Sequence, residues 1–119
     1  MATNSGHKIG AIKRAIENHI HPDSGRSFLY VDYSNWYIGI TNDPSVRKAQ
    51  HEYQKQLTAM HFQWWEAGSK DNALEIEEYF QDAGMQDKKG AGGAKKNSTM
   101  VYIFKINTHF LDLLVNILG

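Results

Sequence analysis

The sequence predicts an α+β domain with a small, mainly antiparallel sheet. Two observations lead there. Patterns along the chain run helix, β-rich pair, helix, aromatic segment, helix, strand, helix. A chain of 119 residues, 41% apolar and 22% charged, has the size and mixture of one globular domain with one modest core.

Composition also excludes. There is no cysteine, so disulfides, thiolate metal sites and a cysteine nucleophile are ruled out. Thirteen basic residues balance thirteen acidic ones, so any basic footprint for nucleic acid must be local. No apolar run has the length of a membrane span, and Met1 to Gly10 has no apolar signal core. A soluble intracellular protein without membrane contact is expected.

Each element has its own warrant. Met1 to Lys8 reads as a flexible leader. Ile9, Ile12, Ile16 and Ile20 recur at helical spacing and predict an extra N-terminal helix over 9–20. His21-Pro22-Asp23-Ser24-Gly25 reads as a loop. Phe28–Tyr33 and Trp36–Thr41 are β-rich runs split by Ser34-Asn35, the spacing of a hairpin. In that pairing Leu29, Val31, Tyr33, Trp36, Ile38 and Ile40 share a core face. Tyr30 and Tyr37 share the other, with Gly39 between them leaving room for something to approach the backbone.

Asp43-Pro44 is a helix start, a capping acceptor followed by proline at the first helical position. The helix should run to about Leu57, with Val46, Ala49, Tyr53 and Leu57 as its apolar stripe. Arg47 and His51 then lie one turn apart on the shoulder between core and solvent. Met60–Glu66 is a strand or a short buried segment, ended by Gly68-Ser69. Asp71–Ala83 is a helix with Gly84 as its stop. Lys88–Asn97 is a Gly/Lys loop. Met100–Ile106 is a strand. The apolar tail at 107–119 reads as a C-terminal helix, which either completes the monomer core or joins two copies as a homodimer.

The helix at 71–83 carries an oddity. Asp71, Glu75, Glu78 and Asp82 make a solvated acidic face. Glu77 instead falls within the arc of Ala73, Leu74, Ile76, Tyr79, Phe80 and Ala83. A carboxylate turned toward a core is costly unless a cation or hydrogen-bond donors satisfy it. Glu77 therefore calls for an arginine, a lysine or a metal ion.

Tyr37-Ile38-Gly39-Ile40-Thr41-Asn42-Asp43-Pro44, followed by Arg47 and His51, resembles the core motif of GIY-YIG nucleases. Ala73 to Phe80 is similar to the helix bearing that family's metal-binding glutamate. The first motif reads Phe28-Leu29-Tyr30 and keeps its tyrosine. Asn97 is the candidate for a late asparagine, with Asn107 the weaker one. The resemblance runs from about Phe28 to Lys105. It implies a three-stranded antiparallel sheet flanked by helices, and hydrolysis of DNA phosphodiesters with one divalent metal, Mg2+ or Mn2+. It implies site roles for Tyr30, Tyr37, Arg47, His51 and Glu77, with Glu77 as the metal ligand.

The chemistry suits these residues. Magnesium-like ions prefer oxygen ligands and often take one or two carboxylates plus waters and substrate phosphate. Arg47 can fork onto phosphate oxygens. Tyr37 is the first choice of base if nearby cations favour its phenolate, with His51 the other choice. Tyr30 would orient Tyr37 or bind phosphate. Lys88, Lys89, Lys95, Lys96 and Asn97 could supply local affinity for the DNA backbone, or the lysines could simply be solvated. Trp64-Trp65 offers base stacking or, as the commoner outcome for such residues, core packing. The rival to an enzyme is a catalytically inactive GIY-YIG-like module that binds nucleic acid or protein.

Overall fold

The computed structural model describes residues 3–24, 33–55, 59–87 and 97–106. The fold is α+β. Helix α1 (Thr3–Ser24) leads to strand β1 (Trp36–Thr41), helix α2 (Pro44–Lys55), strand β2 (Ala59–Glu66), helix α3 (Lys70–Asp82) and strand β3 (Met100–Ile106). The three strands form an antiparallel sheet in the order β1-β3-β2. Phe28–Tyr30, Lys88–Lys96 and the C-terminal helix expected within 107–119 lie outside the described residues, and with them the homodimer expectation.

The isoleucine stripe of α1 is buried as its spacing predicts. It joins Trp36, Ile38 and Ile40 of β1, Val101 and Ile103 of β3, and Ala73, Ile76 and Phe80 of α3 in the main core. The helix begins at Thr3, however, so most of the expected leader is helical, and it continues through the expected loop to Ser24. Once a buried stripe nucleates a helix, flanking polar residues extend it at low cost.

The hairpin expectation does not hold at Tyr33. Tyr33–Asn35 is a 3-10 turn, and β1 pairs with β3 instead: Trp36 opposes Lys105 and Thr41 opposes Met100. A two-residue hairpin turn needs positive φ. Neither Ser34 nor Asn35 has it, His61 being the one non-glycine with positive φ among the described residues. The other edge of β1 is occupied by Gln86, whose N–H donates to the Trp36 carbonyl and whose carbonyl accepts from the Ile38 N–H.

Asp43 caps α2 through its carboxylate, which accepts from the Val46 N–H at 3.2 Å, as the sequence predicts. Of the expected apolar stripe, Val46, Ala49 and Tyr53 face the wrong way, and Leu57 lies outside the described residues. Val46 is 51% exposed, Tyr53 is 86% exposed and Ala49 is exposed, while His51 is buried at 6%. Apolar spacing assumes a hydrocarbon target, but the sheet surface under α2 is a layer of aromatic rings with polar tips. His51 can satisfy those tips and valine cannot.

Helix α3 opens on Ser69, whose hydroxyl accepts from the Asn72 N–H. Its acidic residues are exposed as expected, but its buried arc narrows to Ala73, Ile76 and Phe80. Leu74 and Tyr79 are partly exposed, so Glu77 sits half-buried at the rim of the arc rather than inside it.

Candidate active site

The face of the sheet opposite the main core is a second cluster, made by Tyr37, Ala59, Tyr102 and Phe104, with Phe62 and Ile106 packed on it. Strand alternation separates the two faces. Trp36, Ile38 and Ile40 point to α1 and α3, and Tyr37 points to α2. Helix α2 lays His51 into this layer. The His51 ring meets Tyr37 edge-on at 4.6 Å between centroids, and Tyr37 stacks on Phe104 at 5.1 Å.

The centre of the cluster is Tyr102, a residue the sequence reading did not single out. Its hydroxyl lies 2.7 Å from His51 Nε2 in a buried hydrogen bond. Tyr102 sits directly opposite Gly39 in the ladder, and its ring lies across the glycine. A Cβ on Gly39 would stand 2.4 Å from the Tyr102 hydroxyl oxygen. The room that Gly39 leaves is thus filled from within the chain.

Tyr102 also reports which charges converge. Burial pushes its hydroxyl well above the ordinary tyrosine range. Tyr37 adds to the rise, the Arg47 guanidinium opposes it, and Glu77 and Asp87 add to it again. His51 meets that hydroxyl directly and Tyr37 packs against the His51 ring, so β1, β3 and α2 meet at one point. Glu77 comes from α3, which packs against β1 on the main-core side, and among the described residues it is the one expected site residue that lines the groove it shares with Asp87. Glu77 and Asp87 line a shared groove of about 600 Å³ with Leu74, Gln81 and Met85 among its walls. The Gln81 side-chain amide donates to Asp87. Tyr102 and Tyr37 are nearly closed to solvent, whereas Arg47, Glu77 and Asp87 at the rim are half-buried.

The remaining site expectations divide. Asn97 is exposed and accepts a hydrogen bond from Asn42, next to the end of β1. Tyr30, Lys88, Lys89, Lys95 and Lys96 lie outside the described residues. The residue missed, Tyr102, carries a sequence signal only in retrospect. It is the one tyrosine on the Met100–Ile106 strand, and that strand was not paired with Tyr37 because the nearer run at 28–33 occupied that place.

Carboxylate oxygen is the donor type that hard divalent ions take. Glu77 and Asp87 offer carboxylate oxygens, and such ions complete their shell with water and substrate phosphate. Among the described residues no group of three His, Cys, Asp or Glu side chains could hold a metal by itself. No helix among the described residues is long and apolar enough to cross a membrane. Compared with known protein families, curated proteins and solved structures, the chain gives no match.

Proposed function

We infer that the chain is a metal-dependent DNA endonuclease of the GIY-YIG kind, hydrolysing phosphodiester bonds. One observation carries the reading: His51 and the Tyr102 hydroxyl form a buried hydrogen bond of 2.7 Å, with the Tyr37 ring packed against the His51 imidazole. The resemblance calls for two tyrosines on neighbouring strands. In this reading Tyr102, on the strand hydrogen-bonded to that of Tyr37, is such a second tyrosine, while Tyr30 lies outside the described residues.

In this reading Arg47 forks onto non-bridging phosphate oxygens. Glu77, with Asp87 beside it, would hold Mg2+ or Mn2+, which supplies charge neutralisation at phosphorus and at the leaving oxygen when bound. The attacking water forms the new bond to phosphorus as the old P–O bond breaks. Its proton passes to the Tyr102 oxygen while the Tyr102 hydroxyl proton passes to His51 Nε2. No free phenolate forms, which matters where burial disfavours that charge. Of the two bases open from the sequence, this favours His51 acting through Tyr102, with Tyr37 holding the imidazole in place.

The test is incubation with plasmid, single-stranded and branched DNA, with magnesium or manganese and with chelator. Metal-dependent cutting that Tyr102→Phe and Glu77→Gln abolish supports the reading. Binding without cleavage of any substrate would replace it with the inactive module.

A further inference from the structure

We propose that Trp64 is a stacking platform for an unpaired nucleobase on the strand being cut, which makes single-stranded or locally opened DNA the preferred substrate. The inference rests on the nuclease reading and adds the substrate form to it.

The adjacent tryptophans Trp64 and Trp65 go to different places. Trp65 packs on the main core, with its ring 6.1 Å from His19. Trp64 is 44% exposed. It stands directly opposite Tyr102 in the β2–β3 ladder. Directly opposed residues share a sheet face, with Cβ atoms about 4.5–5.5 Å apart. The indole therefore lies on the sheet face that carries the candidate site, one strand further from β1 than Tyr102, and is far more open to solvent than Tyr102, which is 2% exposed.

A local irregularity aims it there. The β2–β3 register shifts between Met60 and Gln63, and His61 in the shift has φ of 54°. Ala59, before the shift, lies on the site face. Strict alternation from Ala59 would put 61, 63 and 65 on that face. The extra residue reverses the parity, so Phe62 and Trp64 face the site and Trp65 faces the core. His19 Nε2 donates to the His61 carbonyl at 2.8 Å and holds the irregularity. Positive φ at a non-glycine residue is costly, and such strain is retained where the surroundings enforce it. Phe62 stacks on Tyr102 at 5.6 Å, continuing the aromatic surface toward Trp64.

The chemistry of the occupant follows. A half-exposed indole on the face of a site that would hold phosphate through Arg47 is suited to the flat ring of a nucleotide on the same DNA strand. Base–aromatic stacking tolerates any base, because every base has a π face. A base inside a duplex already has both faces covered, so only an unpaired or flipped-out base can use Trp64.

The experiment compares wild type, Trp64→Ala and Trp64→Phe for binding to a thymidine oligonucleotide, the same strand with one abasic nucleotide, and a duplex of equal length. Metal is omitted so that nothing is cut. Trp64→Ala should bind the single strand about 5- to 150-fold more weakly, the span of one base–aromatic stack. Trp64→Phe should recover most of that loss. The salt slope should not move, because no phosphate contact is touched. Duplex binding should change by less than about twofold. The abasic strand should narrow the gap between wild type and Trp64→Ala. Oligonucleotide binding should quench tryptophan fluorescence in wild type and much less in Trp64→Phe. Equal affinity of wild type and Trp64→Ala for the single strand would overturn the inference while leaving duplex cleavage, and with it the nuclease reading, standing. Absence of binding to every nucleic acid would overturn both.

Discussion

The two faces of one sheet are built on different physics. Beneath α1 and α3 the face is hydrocarbon: Ile12, Ile16, Ile20, Ile38, Ile76 and Ile103 pack together with Phe80 and Trp36. Beneath α2 it is aromatic with polar tips, and it closes on a His51–Tyr102 hydrogen bond rather than on an aliphatic stripe. Burial of apolar area is non-directional, so the first face needs only the right residues in the right period. The second must satisfy each polar atom with a specific partner. That requirement turns α2 so that valine and tyrosine face solvent. It also lets one face hold the fold while the other is available for the proposed chemistry.

Removing Glu77's charge is the largest expected break between the faces. Glu77→Gln keeps shape and removes an anionic ligand, so cleavage should fall by orders of magnitude. DNA binding should survive through Arg47 and the lysines at 88, 89, 95 and 96. Glu77 is half-buried at the rim of α3, so its neutral amide should melt near wild type in metal-free buffer. Magnesium should raise the melting temperature of wild type alone. A strongly lowered melting point without metal, and no magnesium effect in wild type, would make Glu77 a structural ion-pair partner instead.

A cavity in the hydrocarbon face should do the reverse. Ile16 is fully buried between α1 and the sheet. Ile16→Ala should cost about 2–5 kcal/mol in chemical denaturation. Activity per folded molecule should be unchanged, because no site residue loses a partner. A proportional loss of activity below the melting transition would show that the two faces are coupled.

Gly39 is where the faces meet, since its strand carries both. A methyl group there collides with the Tyr102 ring, which must move off the glycine and away from His51. Gly39→Ala should cost about 1–3 kcal/mol, the range for overpacking, and most of the activity. Tyr102→Phe in the same background should add little further loss of activity, because the hydrogen bond is already broken. Full additivity of the two changes would mean that Tyr102 keeps its place.

The contrast also explains what could be read in advance. The α1 stripe, the β3 strand, the Asp43 cap and the acidic face of α3 are local patterns, and each matches the structure. The pairing partner of β1 is not local. Tyr102 is 65 residues beyond Tyr37 and nothing in its own window marks it, so the nearer run at 28–33 claimed the hairpin. Glu77 stood out as a polar group out of step with an apolar pattern, and Arg47 and His51 as a polar pair on the shoulder of their helix that also fits the resemblance. For Glu77 the pattern was too wide, as Leu74 and Tyr79 turned out partly exposed. Tyr102 fits its strand as any tyrosine would, and only the long-range register shows it crossing Gly39.

The smallest effect separates the faces by pH. Burial holds the Tyr102 hydroxyl in its neutral form well above the ordinary tyrosine value near 10. In the unfolded chain the same group ionises at that ordinary value. Above it, the unfolded state binds fewer protons than the folded state, so stability falls as pH rises. The stabilisation linked to this group is fully present below about pH 10 and is lost progressively above it. Tyr33 is shifted in the same direction by burial, with Glu17 and Tyr79 adding to it, so it contributes a similar but separate decline. Tyr102→Phe should therefore lower stability at neutral pH, because His51 loses its partner, yet flatten the fall of melting temperature between about pH 9 and 11. Tyr33→Phe should flatten it too while leaving the His51 bond intact. Ile16→Ala should lower the whole curve without changing its slope. An unchanged slope in Tyr102→Phe would mean that the aromatic face does not shield the Tyr102 hydroxyl from bulk solvent.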